Sequence, residues 1–233
     1  MKTRLILFLM MLTGALASQK ADACSRVVYT GDSIADTSEM LRIVGRSLDW
    51  STPIPTNLYV YPRGMKKQSN ASGDMITWTS KYGAVYAAGY DAGVTEGMNE
   101  KGLVINGLFC KGTIYNSPAQ EDKPAMSLAV IVAWLLDNNA TTQEVVNAVK
   151  NQDFKIVGAT FDGGTVSTLH WGVTDASGAT AILEFQNGKL DIFEGDFPVL
   201  TNDPPFEQMQ AINKYWEGVG GQNFLPGSVK SPD

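Results

Sequence analysis

Strand-forming segments at both ends of the chain, with a helical block between them, constrain the fold most strongly. Six short runs rich in β-branched and aromatic residues come first, separated by turn formers: 26–30, 42–50, 58–61, 76–80, 84–90 and 103–109. An apolar run over 126–137 predicts a buried helix, and a second helix starts at Thr142, where Thr141 and Glu144 form a capping box. A last helix over 205–216 follows a predicted antiparallel meander, whose strands cover 169–175, 180–185 and 189–193. This order predicts an α+β domain in which sheets pack under helices.

The first 23 residues have the layout of a secretory signal peptide. Lys2 and Arg4 make a positive start, an apolar run covers 5–17, and Ala21 and Ala23 form a small-residue cleavage site. This apolar run is too short to span a bilayer, which needs about 20 residues. We therefore expect an exported protein, periplasmic or secreted, without stable membrane insertion after cleavage, and with residues 24–233 as its domain.

Cleavage after Ala23 would make Cys24 the first residue of the mature chain, with a thiol and a free α-amine on one residue. Such an amine has a pKa of about 7.7–8.0 and serves as a general base near neutral pH. A nucleophile with an adjacent base is the minimum machinery for acyl transfer. Two alternatives stay open: cleavage elsewhere, with Cys24 an ordinary small residue, and a lipoprotein with Cys24 lipidated, for which the charged Asp22 is a poor match.

The composition narrows the classes of partner and cofactor. The chain has 18 Lys and Arg against 24 Asp and Glu, a net charge of −6, and the leader carries three of the basic residues. An acidic chain without basic runs argues against binding to nucleic acid or to anionic membrane surfaces. No Walker, dinucleotide or Gly-x-Ser-x-Gly motif is present, so we expect no cofactor.

The two cysteines and the histidine are interpreted as buried core residues and not as metal ligands. Two cysteines permit at most one disulfide, and together with a single histidine they make no usual zinc ligand set. Cys110 follows an apolar strand-like run and is predicted to be a buried, inert thiol. His170 lies in an alternating strand pattern and is predicted to be a hydrogen-bonded core residue, not a catalytic base. No metal site is predicted.

Five segments carry a resemblance to a known family. They are Cys24-Ser-Arg, Val-Gly-Arg-Ser-Leu-Asp-Trp over 44–50, Glu-Gly-Met-Asn-Glu-Lys-Gly-Leu over 96–103, Ser-Thr-Leu-His over 167–170, and Leu-Thr-Asn-Asp-Pro over 200–204. In this order the chain resembles the choloylglycine hydrolase family, N-terminal-nucleophile hydrolases that include penicillin V acylases and conjugated bile salt hydrolases. The resemblance implies an αββα sandwich, with two antiparallel sheets between helical layers. The leader resembles that of the exported Gram-negative branch.

The resemblance also implies roles for five residues. Cys24 matches the nucleophile and, through its own amine, the base; Arg46 matches the arginine beside the thiol, where a positive charge favours the thiolate. Asp49 matches the aspartate that orients the amine, and Asn202 matches an oxyanion-hole amide. The backbone NH of Phe109 matches the second oxyanion donor, although the family often has Asn or Tyr there. Because side chains alternate along a strand, Arg46 and Asp49 cannot both lie on one face of a regular strand, so one is expected at a strand end or bulge.

These roles predict an amidase that cleaves a linear C–N amide through a thioester, without a cofactor. The implied small-molecule substrates are penicillin V and other acyl amides, acyl-homoserine lactones, or conjugated bile acids, and we favour the acylase type. The alternative is a binding protein that kept the fold but lost the chemistry. The resemblance also implies a homotetramer. Six aromatic side chains are candidates for an acyl pocket: Trp50, Tyr59, Tyr61, Trp78, Tyr82 and Phe109.

The end of the chain departs from the family, which continues into a segment with a further active-site arginine. The only arginines after Cys24 are at 26, 42, 46 and 63. We therefore expect a domain that is incomplete at its C-terminus, folds poorly alone and has weak or no activity, since lost strands leave open edges and apolar surface. The alternative is a naturally short, self-sufficient variant.

Overall fold

The chain folds mainly into antiparallel sheets. The computed structural model describes residues 24–33, 40–50, 52–69, 71, 75–117, 120–161 and 165–218, so the predicted signal peptide lies outside the described residues. The strands are β1 (Ser25–Ser33), β2 (Met40–Ser47), β3 (Thr56–Tyr61), β4 (Lys66–Gln68), β5 (Thr77–Thr79), β6 (Ala84–Gly89), β7 (Gly93–Asn99), β8 (Val104–Phe109), β9 (Ala125–Ser127), β10 (Lys155–Val157), β11 (Thr160–Phe161), β12 (Thr165–Val166), β13 (Leu169–Thr174), β14 (Thr180–Gln186), β15 (Lys189–Gly195) and β16 (Val199–Thr201). The helices are α1 (Leu128–Asn138), α2 (Thr142–Lys150) and α3 (Phe206–Gly218).

A seven-stranded antiparallel sheet, in the order β15-β14-β13-β8-β7-β6-β3, forms the centre of the fold. Helices α1 and α2 cover one of its faces, and the larger hydrophobic core lies between them and the sheet. Trp171 on β13 is almost fully buried in this core, as are Ile105 on β8 and Leu135 on α1. A helix that is apolar nearly all round, as α1 is, is expected where it is largely buried.

A three-stranded sheet, in the order β16-β1-β2, lies against the other face of the seven-stranded sheet. Side chains alternate along β1, so Arg26 points inward and is fully buried, whereas Val27 and Tyr29 are exposed. A smaller apolar cluster joins the two sheets to the start of α3; its buried members are Cys24, Leu108, Ile182, Leu200 and Phe206. The predicted α+β class with antiparallel sheets is therefore confirmed.

A buried polar cluster ties α1 to the β4–β5 hairpin on the helix side of the large sheet. Asp137 on α1 is fully buried and accepts hydrogen bonds from the Trp78 Nε1–H at 2.6 Å and from the Tyr86 hydroxyl. Lys67 Nζ lies 2.9 Å from the same carboxylate. Burial and the bond to Asp137 raise the pKa of Tyr86, so its hydroxyl stays protonated.

Strand β7 is the main element that the sequence pattern did not predict. It contains two glycines and a glutamate, which are poor strand formers, yet it is an interior strand of the sheet. A Cβ at Gly97 would lie 2.5 Å from the Val85 carbonyl oxygen and 2.9 Å from Leu136 Cδ1, so only glycine lets α1 pack this closely.

The predicted helices are confirmed, with small shifts at their ends. Helix α1 begins at Leu128, because residues 125–127 pair in parallel with β10, and the Ser127 hydroxyl caps the helix. Helix α2 begins at Thr142, with the predicted cap from Thr141. None of the helices within the described residues is long and apolar enough to cross a membrane.

Candidate active site

Cys24 lies where β1 begins, between the two sheets. The antiparallel pairing of β1 with β2 sets Ser25 opposite Ser47, so Cys24 faces the residues that follow the end of β2. The Cys24 side chain is buried in the smaller apolar cluster. Its Sγ lies 3.8 Å from the backbone oxygen of Asp49.

Arg46 holds its guanidinium beside this sulfur. The Arg46 NH2 atom lies 3.9 Å from Cys24 Sγ and donates a 2.7 Å hydrogen bond to the Gly107 carbonyl on β8. Its Nε lies 3.4 Å from Glu96 Oε2, and the Arg46 side chain is only 5% exposed. A cation fixed at this distance stabilises a thiolate. Sequence reasoning predicted Arg46 but missed Glu96, although Glu96 begins one of the five resembling segments.

A second arginine extends this polar arrangement between the sheets. Arg26 is fully buried and donates from Nε to Asn106 Oδ1 at 2.9 Å and from NH2 to Thr174 Oγ1 at 2.6 Å. Asn106 Nδ2 in turn donates to Glu96 Oε2 at 3.0 Å. Burial lowers the pKa of Arg26 to about 10. A Cβ at Gly172 would lie 2.7 Å from Arg26 Cδ, so a glycine there makes room for the side chain. Sequence reasoning missed this network, because its members are far apart in the chain.

Asp49 lies beyond the end of β2, as the spacing predicted. Strand β2 ends at Ser47, so Arg46 is on the strand and Asp49 is in the segment after it. The Asp49 side chain is exposed, and its Oδ2 accepts a 3.0 Å hydrogen bond from the Ser47 hydroxyl. The prediction that one of the two residues lies at a strand end is confirmed.

Asn202 is brought to Cys24 by strand β16. The antiparallel pairing of β16 with β1 sets Thr201 opposite Ser25. Asn202 follows directly after β16 and Cys24 directly precedes β1, so both lie just beyond this last pair, and Asn202 is buried. The strand pair therefore brings together two parts of the chain that are 178 positions apart.

Phe109, at the end of β8, has its backbone NH on the side that faces Arg46. The Cys110 NH donates to the Thr168 carbonyl on the β13 side, at 2.9 Å. Backbone groups of successive residues point to opposite sides of a strand, so the Phe109 NH points away from β13. The Gly107 carbonyl points to that same side and accepts the hydrogen bond from Arg46.

A largely apolar cavity of about 240 Å³ opens beside Cys24 and Arg46. Trp50 and Phe109 both line it, and their rings pack edge to face against each other, with centroids 5.3 Å apart. Of the six predicted aromatic pocket residues, only these two line the cavity; the prediction was wrong for Tyr59, Tyr61, Trp78 and Tyr82. Tyr61 and Trp78 pack against the larger core on the helix side of the sheet, Tyr59 stacks on Tyr61, and the Tyr82 ring lies under Lys81 Nζ. The other apolar walls include Ile54, Val94, Leu128 and Leu169.

Tyr90 also lines the cavity, and sequence reasoning missed it. It sits with Asp91 in the β6–β7 turn, and both have positive φ angles, 54° and 52°. A non-glycine residue in this left-handed region costs about 1–2 kcal/mol. Asp91 Oδ1 accepts from Asn57 Nδ2 at 2.6 Å and from the Tyr59 hydroxyl at 2.9 Å, which ties the turn to β3.

Cys110 and His170 are buried, as predicted. Burial raises the pKa of Cys110 to about 11, so its thiol stays protonated, and neither cysteine forms a disulfide. Within the described residues, Cys110, His170 and Glu184 are the group whose donor atoms lie close enough, within 4.8 Å, to hold a metal. Both His170 nitrogens are already engaged, however: Nδ1 with Glu184 Oε2 at 3.0 Å and Nε2 with the Thr201 carbonyl at 2.8 Å.

Comparison with known sequences identifies the family. Residues 30–229 match the sequence profile of the linear amide C–N hydrolases, choloylglycine hydrolase family. The chain belongs to the choloylglycine hydrolase family. The resemblance found from the five segments is therefore confirmed.

Other choloylglycine hydrolases are similar over much of this chain. Penicillin V acylase of Pectobacterium atrosepticum is 36% identical over 94% of this chain and 59% of its own length. A bile salt hydrolase/transferase of Clostridium perfringens is 30% identical over 77% of this chain and 55% of its own. The solved structure of penicillin V acylase from Agrobacterium tumefaciens superposes with a TM-score of 0.75 and 40% identity, over 88% of this chain and 60% of that one. The predicted N-terminal-nucleophile hydrolase fold is confirmed, and the chain spans about 60% of the length of these relatives.

Proposed function

We propose that this protein is an exported cysteine amidase that hydrolyses a linear C–N amide bond through a thioester on Cys24. The observation that carries the proposal is the placement of the Cys24 sulfur, which lines an apolar cavity 3.9 Å from the Arg46 guanidinium. A thiol beside a fixed cation and an acyl-sized cavity has what the first step needs: a stabilised thiolate and a place for the acyl group.

In the proposed reaction, removal of residues 1–23 frees the α-amine of Cys24, which Asp49 orients. The amine takes the thiol proton, and Sγ attacks the amide carbonyl carbon. The oxyanion that forms accepts hydrogen bonds from the Asn202 side-chain amide and the Phe109 backbone NH. The α-amine gives its proton to the leaving nitrogen, the C–N bond breaks, and the acyl group stays on sulfur. Water, deprotonated by the same amine, then hydrolyses the thioester to a carboxylic acid and restores the thiol.

The geometry supports both oxyanion donors. Asn202 and Cys24 both lie one residue beyond the pair of Thr201 with Ser25, and the Phe109 NH points to the side of β8 on which Gly107 bonds to Arg46. The donors therefore approach the thiol from two different sheets. A pair of preorganised donors is typical of acyl-transfer sites, where loss of one costs about 3 kcal/mol.

The cavity favours a small aromatic acyl group over a steroid. Its volume of about 240 Å³ is below the range of about 300–1,000 Å³ that is usual for pockets holding drug-sized ligands. Trp50 and Phe109 present ring edges and faces on which a phenyl ring can pack. We therefore propose penicillin V and related acyl amides as the substrate class, ahead of conjugated bile acids.

Parallel assays with penicillin V and glycocholate test this function. The protein is expressed with its leader in a Gram-negative host and recovered from the periplasm. Faster cleavage of penicillin V than of glycocholate, even at the low rate expected of an incomplete domain, supports the proposal. The matched control is Cys24→Ala, which removes the nucleophile from an apolar cluster with little loss of packing and should abolish turnover. Faster glycocholate hydrolysis would contradict the substrate class, and slow alkylation of Cys24 without turnover would favour a binding protein.

The homotetramer stays a prediction, which light scattering tests.

A further inference from the structure

His170 and Glu184 form a buried hydrogen-bonded pair on the face of the large sheet that looks toward β1 and β16. His170 lies on β13 and Glu184 on the neighbouring strand β14, and both side chains are almost fully buried. The His170 Nε2 atom is 2.8 Å from the Thr201 carbonyl oxygen. A carbonyl oxygen can only accept, so Nε2 carries a proton. The other ring nitrogen, Nδ1, is hydrogen-bonded to Glu184 Oε2 at 3.0 Å.

Glu184 extends this pair to the start of α3. Its carboxylate accepts from the backbone NH of Phe206, with Oε2 at 3.0 Å and Oε1 at 3.3 Å. His170 therefore holds one end of the segment 201–206 and Glu184 holds the other. Asn202 lies within this segment, between the two points of attachment.

Neither a metal site nor a buried pair without a structural role accounts for these contacts as fully. Cys110 is the third member of the group, but its protonated thiol and the two engaged nitrogens of His170 leave no usual metal ligand except a carboxylate that already accepts the Phe206 NH. Buried polar groups are costly unless they are fully hydrogen-bonded. Apart from a 3.3 Å hydrogen bond from Gln186 Nε2 to Glu184 Oε1, the bonds that satisfy this pair lead to the segment that carries Asn202.

We propose that His170 and Glu184 are positioning residues that hold Asn202 opposite Cys24, so that its amide meets the oxyanion. This inference rests on the proposed function, because it assigns Asn202 to the oxyanion hole. The hydrogen bonds from His170 and Glu184 to residues 201–206 then act as a clamp on this segment. Breaking the clamp should lower the rate of the chemical step and leave the Cys24 nucleophile intact. A lost oxyanion donor costs about 10²–10³-fold in kcat, and a displaced one should cost part of that, about 10–100-fold.

The test compares His170→Leu with His170→Gln, in which the side-chain amide can still donate to the Thr201 carbonyl. For His170→Leu we expect kcat for penicillin V to fall about 10–100-fold, with KM and the alkylation rate of Cys24 by iodoacetamide nearly unchanged. His170→Gln should recover most of kcat. The control is Tyr86→Phe, which removes a buried hydrogen bond on the opposite face of the same sheet and should lower thermal stability without changing kcat.

A second measurement keeps the inference testable if a variant fails to fold. The chain has a single histidine, so the imidazole signals in a 15N NMR spectrum of the unsubstituted protein belong to His170. We expect a protonated Nε2 whose proton exchanges slowly with water. An unprotonated Nε2, equal losses of kcat and alkylation rate, or no recovery in His170→Gln would overturn the proposal. If the unsubstituted protein hydrolyses neither substrate, the proposed function fails, and the NMR spectrum still decides whether the clamp exists.

Discussion

Replacement of Arg46 by methionine tests how the site activates its thiol. The guanidinium lies 3.9 Å from the Cys24 sulfur, and a unit charge at that distance contributes about 4 kcal/mol at an effective dielectric constant near 20. This is an upper figure, because Glu96 offsets part of the Arg46 charge. Such a loss would weaken the stabilisation of negative charge on the sulfur by a factor of up to about a thousand. A less stabilised thiolate is more nucleophilic, which recovers about half of the loss on a logarithmic scale, so we expect alkylation to slow about 30-fold.

The assay follows iodoacetamide alkylation of Cys24 at pH 7, with the labelled residue located by mass spectrometry. Two further variants separate the effect of the lost Arg46 charge from the effects of distant charge and of an unpaired Glu96 carboxylate. Arg42→Met removes an arginine from the same strand and face, about 13 Å away, which is beyond the screening length of about 8 Å, so its rate should not change. The double variant Arg46→Met with Glu96→Gln also removes the carboxylate that would otherwise be left without its cation.

A rate for Arg46→Met within about threefold of the parent would refute the reasoning, because so small a change is below 1 kcal/mol. A full recovery of the rate in the double variant would also refute it. That outcome would mean that the unpaired Glu96 carboxylate, not the loss of the Arg46 charge, slows the reaction.

Three further predictions concern the rest of the fold. Cys110 should resist iodoacetamide in the native protein and react in urea, because burial raises its pKa to about 11; labelling of both thiols in the native state would contradict this. Burial alone would raise the pKa of Asp175, but its hydrogen bonds, including one from the Thr142 NH, lower it. Asp175→Asn should therefore reduce the free energy of unfolding at pH 7, and the difference from the parent should shrink as the pH falls below 3.8. Denaturant unfolding across pH measures this difference, and a difference that stays constant would contradict the prediction. Gly97→Ala should lower the melting temperature by about 5 °C or more through overpacking against β6 and α1, whereas Gly45→Ala on β2, with its nearest Cβ contact at 3.4 Å, should change it little; equal shifts in calorimetry would contradict the steric argument.

Local patterns in the sequence were enough to predict most of the elements. The apolar run of α1 and the capping residues of α2 are local signals, and the structure places both helices as expected. Strand β7 was missed because two glycines and a glutamate, all poor strand formers, interrupt its pattern. Its place in the sheet depends on contacts with distant residues, above all the close approach of α1 to Gly97.

The site could be predicted only in part, for the same reason. Arg46 and Asp49 lie within one short segment that resembles the family, whereas Glu96, Asn106 and Arg26 meet only after the two sheets pack. Tyr90 reaches the cavity from a turn in which it has a positive φ, a conformation that a tyrosine does not itself indicate. Roles that depend on long-range register, such as that of Asn202, came from the family resemblance and not from local pattern.

The measurement that tests the central claim most directly is mass spectrometry of the periplasmic protein after brief reaction with penicillin V and an acid quench. The account predicts a chain that begins at Cys24 and carries the phenoxyacetyl group on that residue, with no such adduct in Cys24→Ala. Hydrolysis by a chain that still carries the leader, or an acyl group on any other residue, would contradict it.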